Sequence, residues 1–130
     1  MQHEDIKVLK PAVKFLHEAL DPVNTVFFHV PNESVIQGSA GKRKAVGANL
    51  RAKGLTSGVP DLVILARGFK IGAEAKYGSN KLSPNQEIIK SKWLKSGGQW
   101  ITFYSPEQLE RELRSLGMPL RATLRQRAGE

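Results

Sequence analysis

The chain has 130 residues, of which 40% are hydrophobic and 25% are charged. A chain of this length fits one domain with its own core, and this balance excludes a wholly disordered protein. The absence of cysteine excludes disulfides, thiolate zinc sites and cysteine nucleophiles. Twenty Lys and Arg residues against twelve Asp and Glu give a net charge of +8, which favours a polyanionic partner, with nucleic acid first.

The sequence shows no membrane or export signal. No apolar run approaches the roughly 18 residues of a transmembrane helix. The first ten residues, MQHEDIKVLK, lack the basic and apolar regions of a signal peptide. We therefore expect an intracellular protein with no membrane partner.

The first half of the chain predicts a helix, a strand and an irregular segment. Apolar residues at three- and four-residue spacing predict an amphipathic helix over 4–20. Pro11 either kinks this helix or opens a second helical segment. A β-branched and aromatic run predicts a strand over 25–30. Residues 31–58 are rich in Gly, Ser and Asn, with a short helix expected over 45–52.

The second half predicts a strand hairpin followed by two helices with a strand between them. The hairpin strands cover 61–66 and 69–76, joined by a turn at Arg67-Gly68. Ser-Pro pairs are typical of helix starts, and they open helices at Pro84 and Pro106 around a strand over 100–104. The order of elements indicates an α/β domain with one mixed sheet flanked by helices. This domain covers residues 1–117, and we expect the basic tail over 118–130 to be partly disordered.

The hairpin brings charged residues together at one end. With a two-residue turn, Ala66 pairs with Phe69, and counting outward places Asp61 opposite Glu74. Because strand side chains alternate between faces, Glu74 and Lys76 project on the same side. Two carboxylates and an ammonium therefore converge.

Such a convergence favours a divalent cation. Ionised carboxylates at close range repel each other, and a hard cation relieves this repulsion. The cation can polarise a phosphodiester and lower the pKa of a bound water, while a neighbouring ammonium stabilises charge on phosphorus. The apolar run over 62–66 predicts a strand buried on both faces, so charges at its end imply a function. The alternative is a surface alternation with a weak ion pair.

A cationic stretch supplies candidates for nucleic-acid contact. The segment 41–54 contains no acid and five cations, which are Lys42, Arg43, Lys44, Arg51 and Lys53. We expect them to contact phosphates, the alternative being a solvated surface. The nearby sequence GSAGK lacks the spacing of a phosphate-binding loop, so no nucleotide cofactor is expected.

Three motifs resemble the VRR-NUC family of the PD-(D/E)XK nuclease superfamily. They are GVPDL at 58–62, EAK at 74–76 and LSPNQ at 82–86, and HVPNE at 29–33 is similar to the family's segment before the basic loop. The similarity spans nearly the whole chain, and the compact size resembles the stand-alone phage and bacterial members. It implies a restriction-endonuclease-like core with a central four-stranded mixed sheet. It also implies a protein of the cytoplasm of a bacterium or a phage-infected cell.

The resemblance further implies roles for the hairpin residues. Asp61 and Glu74 would bind Mg²⁺ or Mn²⁺, assisted by the backbone carbonyl of Ala75. Lys76 would orient or activate the attacking water. The implied activity is hydrolysis of phosphodiester bonds by a DNA endonuclease, as a homodimer selective for branched DNA such as four-way junctions. The alternatives are a non-catalytic nucleic-acid-binding module on the same fold, or a nuclease acting on RNA or DNA ends.

Accessory residues are less constrained by the resemblance. Gln86 would support the site, but it also fits a capping box, in which it closes the start of its helix. A glutamate on the first helix would complete the site, and Glu4, Glu18 and Glu33 are the candidates, with Glu4 where the family places it. Asn32 is expected among the residues that contact nucleic acid.

Overall fold

The computed structural model describes residues 2–31, 40–54 and 56–124 of the chain. The first helical stretch has three parts, which are α1 (Gln2–Glu4), a π-helical turn (Asp5–Leu9) and α2 (Lys10–Ala19). Pro11 lies in the first turn of α2. The helical backbone runs without a break through Leu9 and Lys10 into α2, so Pro11 lies one residue after the start of α2 and does not open a separate helix.

Four strands and three further helices follow. In chain order they are β1 (Thr25–His29), α3 (Ala40–Ala52), β2 (Leu62–Ala66), β3 (Phe69–Ala75), α4 (Pro84–Lys95), β4 (Gln99–Phe103) and α5 (Pro106–Ser115). Ser83 and Ser105 cap α4 and α5 through their side-chain oxygens, as predicted. α3 begins at Ala40, earlier than the sequence predicted. No helix in the described part of the chain is long and apolar enough to span a membrane.

The strands form one mixed sheet of four strands in the order β1-β2-β3-β4. β2 is antiparallel to both β1 and β3, whereas β4 is parallel to β3. This is the expected α/β fold, and it is consistent with a restriction-endonuclease-like core. The pairing places the start of β2 beside the ends of β1 and β3, and β4 ends at the same end of the sheet, so residues from four separate segments lie there.

One face of the sheet carries the hydrophobic core. Its strand residues are Leu62, Ile64, Ile71, Ala73, Ala75, Ile101 and Phe103, and helices α2 and α5 cover them with Ala12, Phe15, Leu16, Ala19, Leu109 and Leu113. Met118 and Leu124 are buried in the same core. The first part of the predicted tail therefore packs on the domain, and residues 125–130 lie outside the described residues.

The opposite face of the sheet is only partly covered. α4 lies over the β3–β4 half, where Trp93 and Trp100 pack against Gly72. Three apolar side chains stay exposed on the β1–β2 half, namely Val26, Phe28 and Leu65. The prediction that residues 62–66 are buried on both faces is therefore wrong for Leu65, because α4 does not reach it. Two apolar side chains of α4, those of Ile88 and Leu94, are also exposed.

Candidate active site

The hairpin register brings Asp61 and Glu74 together. Leu62 pairs with Ala73, and one further step places Asp61 opposite Glu74, as predicted. The backbone N–H of Asp61 donates to Oε1 of Glu74 at 3.1 Å, and the N–H of Ala75 donates to Oδ2 of Asp61 at 2.9 Å. Each carboxylate thus accepts a backbone donor from the facing strand, which fixes its orientation.

The segment before Asp61 packs against the first turn of α4. Gly58 has a φ of +87°, and a Cβ atom at this residue would lie 2.5 Å from the carbonyl oxygen of Asn85. Nδ2 of Asn85 also donates to Oγ of Ser57 at 3.0 Å. Only glycine permits both this backbone angle and this close approach. The motifs at 58–62 and 82–86 therefore pack directly against each other.

Gln86 joins that contact to the carboxylates. Its Oε1 accepts the N–H of Ser83 at 2.8 Å, and Oγ of Ser83 accepts the N–H of Gln86 at 3.2 Å, which completes a capping box. Its Nε2 donates to Oε2 of Glu74 at 2.8 Å. The cap and the contact with the site, which the sequence left as alternatives, occur together because an amide has an acceptor end and a donor end.

Two nitrogen-bearing side chains flank the carboxylates. Nζ of Lys76 lies 3.7 Å from Oε2 of Glu74, and the lysine side chain is only 13% exposed. Nδ1 of His29 lies 3.0 Å from the carbonyl oxygen of Asp61. Since a carbonyl only accepts, this bond requires a proton on Nδ1. No sequence motif placed the His29 side chain at the site, and the antiparallel pairing of β1 with β2 is what brings it there.

Burial raises the pKa of both carboxyl groups, and at Glu74 the charge of Asp61 raises the pKa further. Burial first, and then the charge of Asp61, raises the pKa of Glu74 to about 8, against the lowering effect of Lys76. Burial also raises the pKa of Asp61, although the Ala75 N–H, His29 and Lys76 act against it. A fully ionised pair is therefore costly unless a further positive charge joins it.

Glu4 is a third carboxyl group near this pair. Burial and then the charge of Asp61 raise its pKa, while Lys76 lowers it. Glu18 is at the far end of the same helical stretch, about 20 Å away at 1.5 Å per residue. The structure thus brings Glu4 rather than Glu18 toward the site. Two other candidates lie outside the described residues, namely Asn32 and Glu33.

The donor set fits a hard divalent cation. Within residues 2–31, 40–54 and 56–124, no three His, Cys, Asp or Glu side chains form a ready-made metal site. Mg²⁺ does not need one, because it is often held by one or two carboxylates with water and substrate phosphate completing its shell. The carboxylates of Asp61 and Glu74 retain acceptor lone pairs, and with the Ala75 carbonyl they meet this requirement.

The predicted nucleic-acid-binding cations lie on α3 or directly after it. Lys44 and Arg51 are exposed on the helix, and Lys53 is exposed in the turn that follows. Lys42 and Arg43 are on the same helix, but their side chains are outside the described part. α3 takes part in none of the main packing contacts between described elements. The hydrophobic core, as far as the described residues define it, contains no side chain of α3.

Comparisons with protein-family models, with curated proteins and with solved structures found no match. The features of this chain that bear on its function are therefore the carboxylate pair, its neighbours and the sequence motifs that build them.

Proposed function

We propose that this chain is a divalent-metal-dependent nuclease of the VRR-NUC type that hydrolyses phosphodiester bonds in DNA. The observation that carries the proposal is the pair Asp61 and Glu74, two buried carboxylates held by backbone donors beside Lys76. A purely structural hairpin end gains nothing from burying two groups that repel each other. The fold and the spacing of the three motifs support the same proposal.

The residues of the hairpin would have different roles in hydrolysis. Asp61, Glu74 and the carbonyl of Ala75 would hold Mg²⁺ or Mn²⁺, which supplies charge stabilisation at the phosphoryl oxygen and an acidified water. The Lys76 ammonium orients the attacking water and offsets negative charge as it develops on phosphorus. The bond from water oxygen to phosphorus forms and the bond to the leaving oxygen breaks. The attacking water releases one proton to solvent, and the leaving oxygen takes up one proton from solvent water.

The substrate is proposed from charge and from the resemblance. The net charge of +8 and the exposed cations on and beside α3 favour a polyanion. We extend the proposal to an endonuclease of the bacterial or phage-infected cytoplasm, selective for branched DNA such as four-way junctions. A homodimer would present two sites to opposing strands, and the exposed side chains of Val26, Phe28 and Leu65 offer it an apolar surface.

Cleavage assays test this function directly. End-labelled four-way junction, linear duplex, single strand, closed circular plasmid and RNA are incubated with Mg²⁺, Mn²⁺ or EDTA. Lys76→Ala removes the site ammonium, and Lys81→Ala, an exposed lysine on the following loop, is its matched control. Metal-dependent cutting of the junction or circle that stops only in Lys76→Ala supports the proposal.

The other outcomes separate the alternatives. DNA binding without cutting in any metal favours a binding module, and cutting confined to RNA or to DNA ends favours the other nuclease classes. Full activity in Asp61→Ala, Glu74→Ala and Lys76→Ala contradicts the mechanism. Sedimentation of the free and DNA-bound protein tests the dimer separately, and a monomer in both states contradicts it.

A further inference from the structure

Two exposed aromatic rings stack on each other beside the lysine of the candidate site. The ring centroids of His3 and Tyr77 lie 5.5 Å apart, with 19° between the ring planes. Tyr77 directly follows Lys76 in the chain, and 40% of its surface is exposed. His3 is exposed as well, and the hydrophobic core of the described residues includes neither side chain. The core therefore does not account for this aromatic pair.

A turn after β3 holds Tyr77 in a fixed position. The backbone N–H of Lys76 donates to the carbonyl of Phe103 at 2.9 Å, so the residue before Tyr77 is still bound to β4. The carbonyl of Tyr77 accepts a hydrogen bond from the N–H of Asn80 at 3.2 Å. The hydroxyl of Tyr104 donates to the carbonyl of Asn80 at 2.6 Å, which ties the turn to the residue after β4. Because the backbone on both sides of the ring is held, a ligand that binds to the ring orders little of the chain.

The aromatic pair is close to the place where the substrate phosphate would lie. Consecutive Cα atoms are about 3.8 Å apart, which is comparable to the rise of about 3.4 Å per nucleotide along one DNA strand. Tyr77 and Lys76 are therefore about one nucleotide apart along a bound strand. His3 directly precedes Glu4, whose pKa responds to the charges of Asp61 and Lys76. Both rings thus belong to segments that reach the site.

An exposed ring at this place favours an unpaired base as its ligand. Proteins that bind single-stranded nucleic acid stack bases on aromatic side chains. Within a continuous duplex both faces of each base are covered by its neighbours, whereas bases in single strands and at branch points offer a free face. The alternative is that the two rings only fasten the start of α1 to the segment after β3. That role does not need the exposure of Tyr77, because a ring that serves only packing gains from being buried.

We propose that Tyr77, supported by His3, is a stacking platform for an unpaired nucleobase next to the scissile phosphate. The proposal rests on the proposed function, because it assumes that the substrate phosphate lies at Lys76. It deepens that function by naming the part of the substrate that is recognised, an unpaired nucleotide adjacent to the bond that is cut. Neither ring belongs to the three motifs at 58–62, 74–76 and 82–86.

Two single strands of equal length and charge test the platform in EDTA, where no metal-dependent cleavage occurs. One is oligothymidylate, and the other is a strand of abasic nucleotides. The natural chain should bind oligothymidylate about tenfold more tightly, because only this strand can stack. Tyr77→Leu removes the ring but keeps an apolar side chain, so it should lose this preference. Tyr77→Phe keeps the ring and is the matched variant in which the preference should remain.

The outcomes of this comparison are decisive. A natural chain without the preference, or a Tyr77→Leu protein that keeps it, would overturn the proposal. A stack that only fastens the helix would change the affinity for both strands equally, so equal weakening in Tyr77→Leu also contradicts the platform. His3→Ala removes the supporting ring and should reduce the preference, and an unchanged preference in this variant would exclude His3 from the platform.

The platform and the nuclease activity can fail separately, because binding of the two strands needs no metal. If the natural chain cuts no nucleic acid in Mg²⁺ or Mn²⁺ while Tyr77→Leu loses the preference, the proposed nuclease function fails and the platform stands. If metal-dependent cutting stops in Lys76→Ala while Tyr77→Leu keeps the preference, the nuclease function stands and the platform fails.

Discussion

Nε2 of Gln86 donates to Oε2 of Glu74 at 2.8 Å from the first turn of α4. The same side chain accepts the N–H of Ser83, which opens the helix. One residue therefore fixes both the start of α4 and the orientation of a site carboxylate. A displacement of the helix start must disturb the site as well.

Gln86→Ala should consequently affect stability and activity together. Gln108 is its counterpart in the second Ser-Pro-x-Gln sequence, where Oε1 accepts the N–H of Tyr104 at 2.9 Å instead of supporting a carboxylate. We expect each alanine variant to lower the free energy of unfolding by about 1 kcal/mol. Only Gln86→Ala should weaken Mn²⁺ binding and cleavage, by about tenfold or more. Equal activity of the two variants would show that Gln86 is a cap alone.

The close approach of Gly58 to α4 gives a second prediction. Gly117 has nearly the same backbone angle, with φ of +89° against +87°, but a Cβ atom at Gly117 would meet nothing within 4 Å. Gly117→Ala should cost about 1 kcal/mol, the penalty of the left-handed angle. Gly58→Ala should cost more, because its Cβ atom also collides with the Asn85 backbone. Chemical denaturation of both variants measures the difference, and equal costs would mean that the contact yields without strain.

The raised pKa of Glu74 predicts how stability depends on pH. The carboxyl titrates near 4.5 in the unfolded chain and at about 8 in the folded one. Between these values the folded state binds more protons, so the free energy of unfolding contributed by Glu74 falls as pH rises. A bound cation replaces the proton, so Mn²⁺ should stabilise the protein more at pH about 8 than at pH about 5. Thermal melts of the natural chain and Glu74→Gln isolate this contribution, and parallel curves for the two proteins would contradict it.

Most of the fold could be predicted from the sequence because short stretches of neighbouring residues determine where its strands and helices begin and end. A two-residue turn determined the hairpin register, and Ser-Pro pairs marked both later helices. The exposure of Leu65 and of Ile88 was not predictable in this way. Their exposure depends on which half of the sheet α4 covers. Tertiary packing decides this, and a run of apolar residues in the sequence does not reveal it.

The candidate site likewise has features that local sequence predicts and features that depend on tertiary packing. Counting along the hairpin was enough to place Asp61 opposite Glu74. The place of His29 cannot be predicted without knowing which strand pairs with β2. The π-helical turn at Asp5–Leu9 cannot be predicted without knowing how the helix accommodates Pro11. A proline signals an interruption of the helix but does not specify whether the chain kinks or widens.

The segment after α5 is held to the domain by Glu110. Oε1 of Glu110 accepts a hydrogen bond from the N–H of Leu124 at 3.0 Å. Oε2 accepts hydrogen bonds from the Nε–H and Nη2–H groups of Arg114 at 3.0 and 2.8 Å. Nη2 of Arg114 also donates to the carbonyl of Ala122 at 2.9 Å. These bonds hold the segment so that the Leu124 side chain is buried in the core.

Removal of the Glu110 charge should therefore weaken the hold on this segment and lower the free energy of unfolding. The loss should depend on pH, because only the ionised carboxylate stabilises the fold. Burial alone would raise the pKa of Glu110, but hydrogen bonds from Leu124, Arg114 and Thr123 hold it below the ordinary value of 4.5. Such a carboxyl stabilises the fold above about pH 4.5, and the stabilisation is lost as pH falls through the folded pKa. We expect Glu110→Gln to lower the free energy of unfolding by about 1–3 kcal/mol at neutral pH, and the exposed Glu112→Gln to change it little. Urea titrations at pH about 7 and about 3 make the comparison. The gap between the two variants should close at the lower pH, and a gap that persists there would mean that Glu110 acts through packing instead of charge.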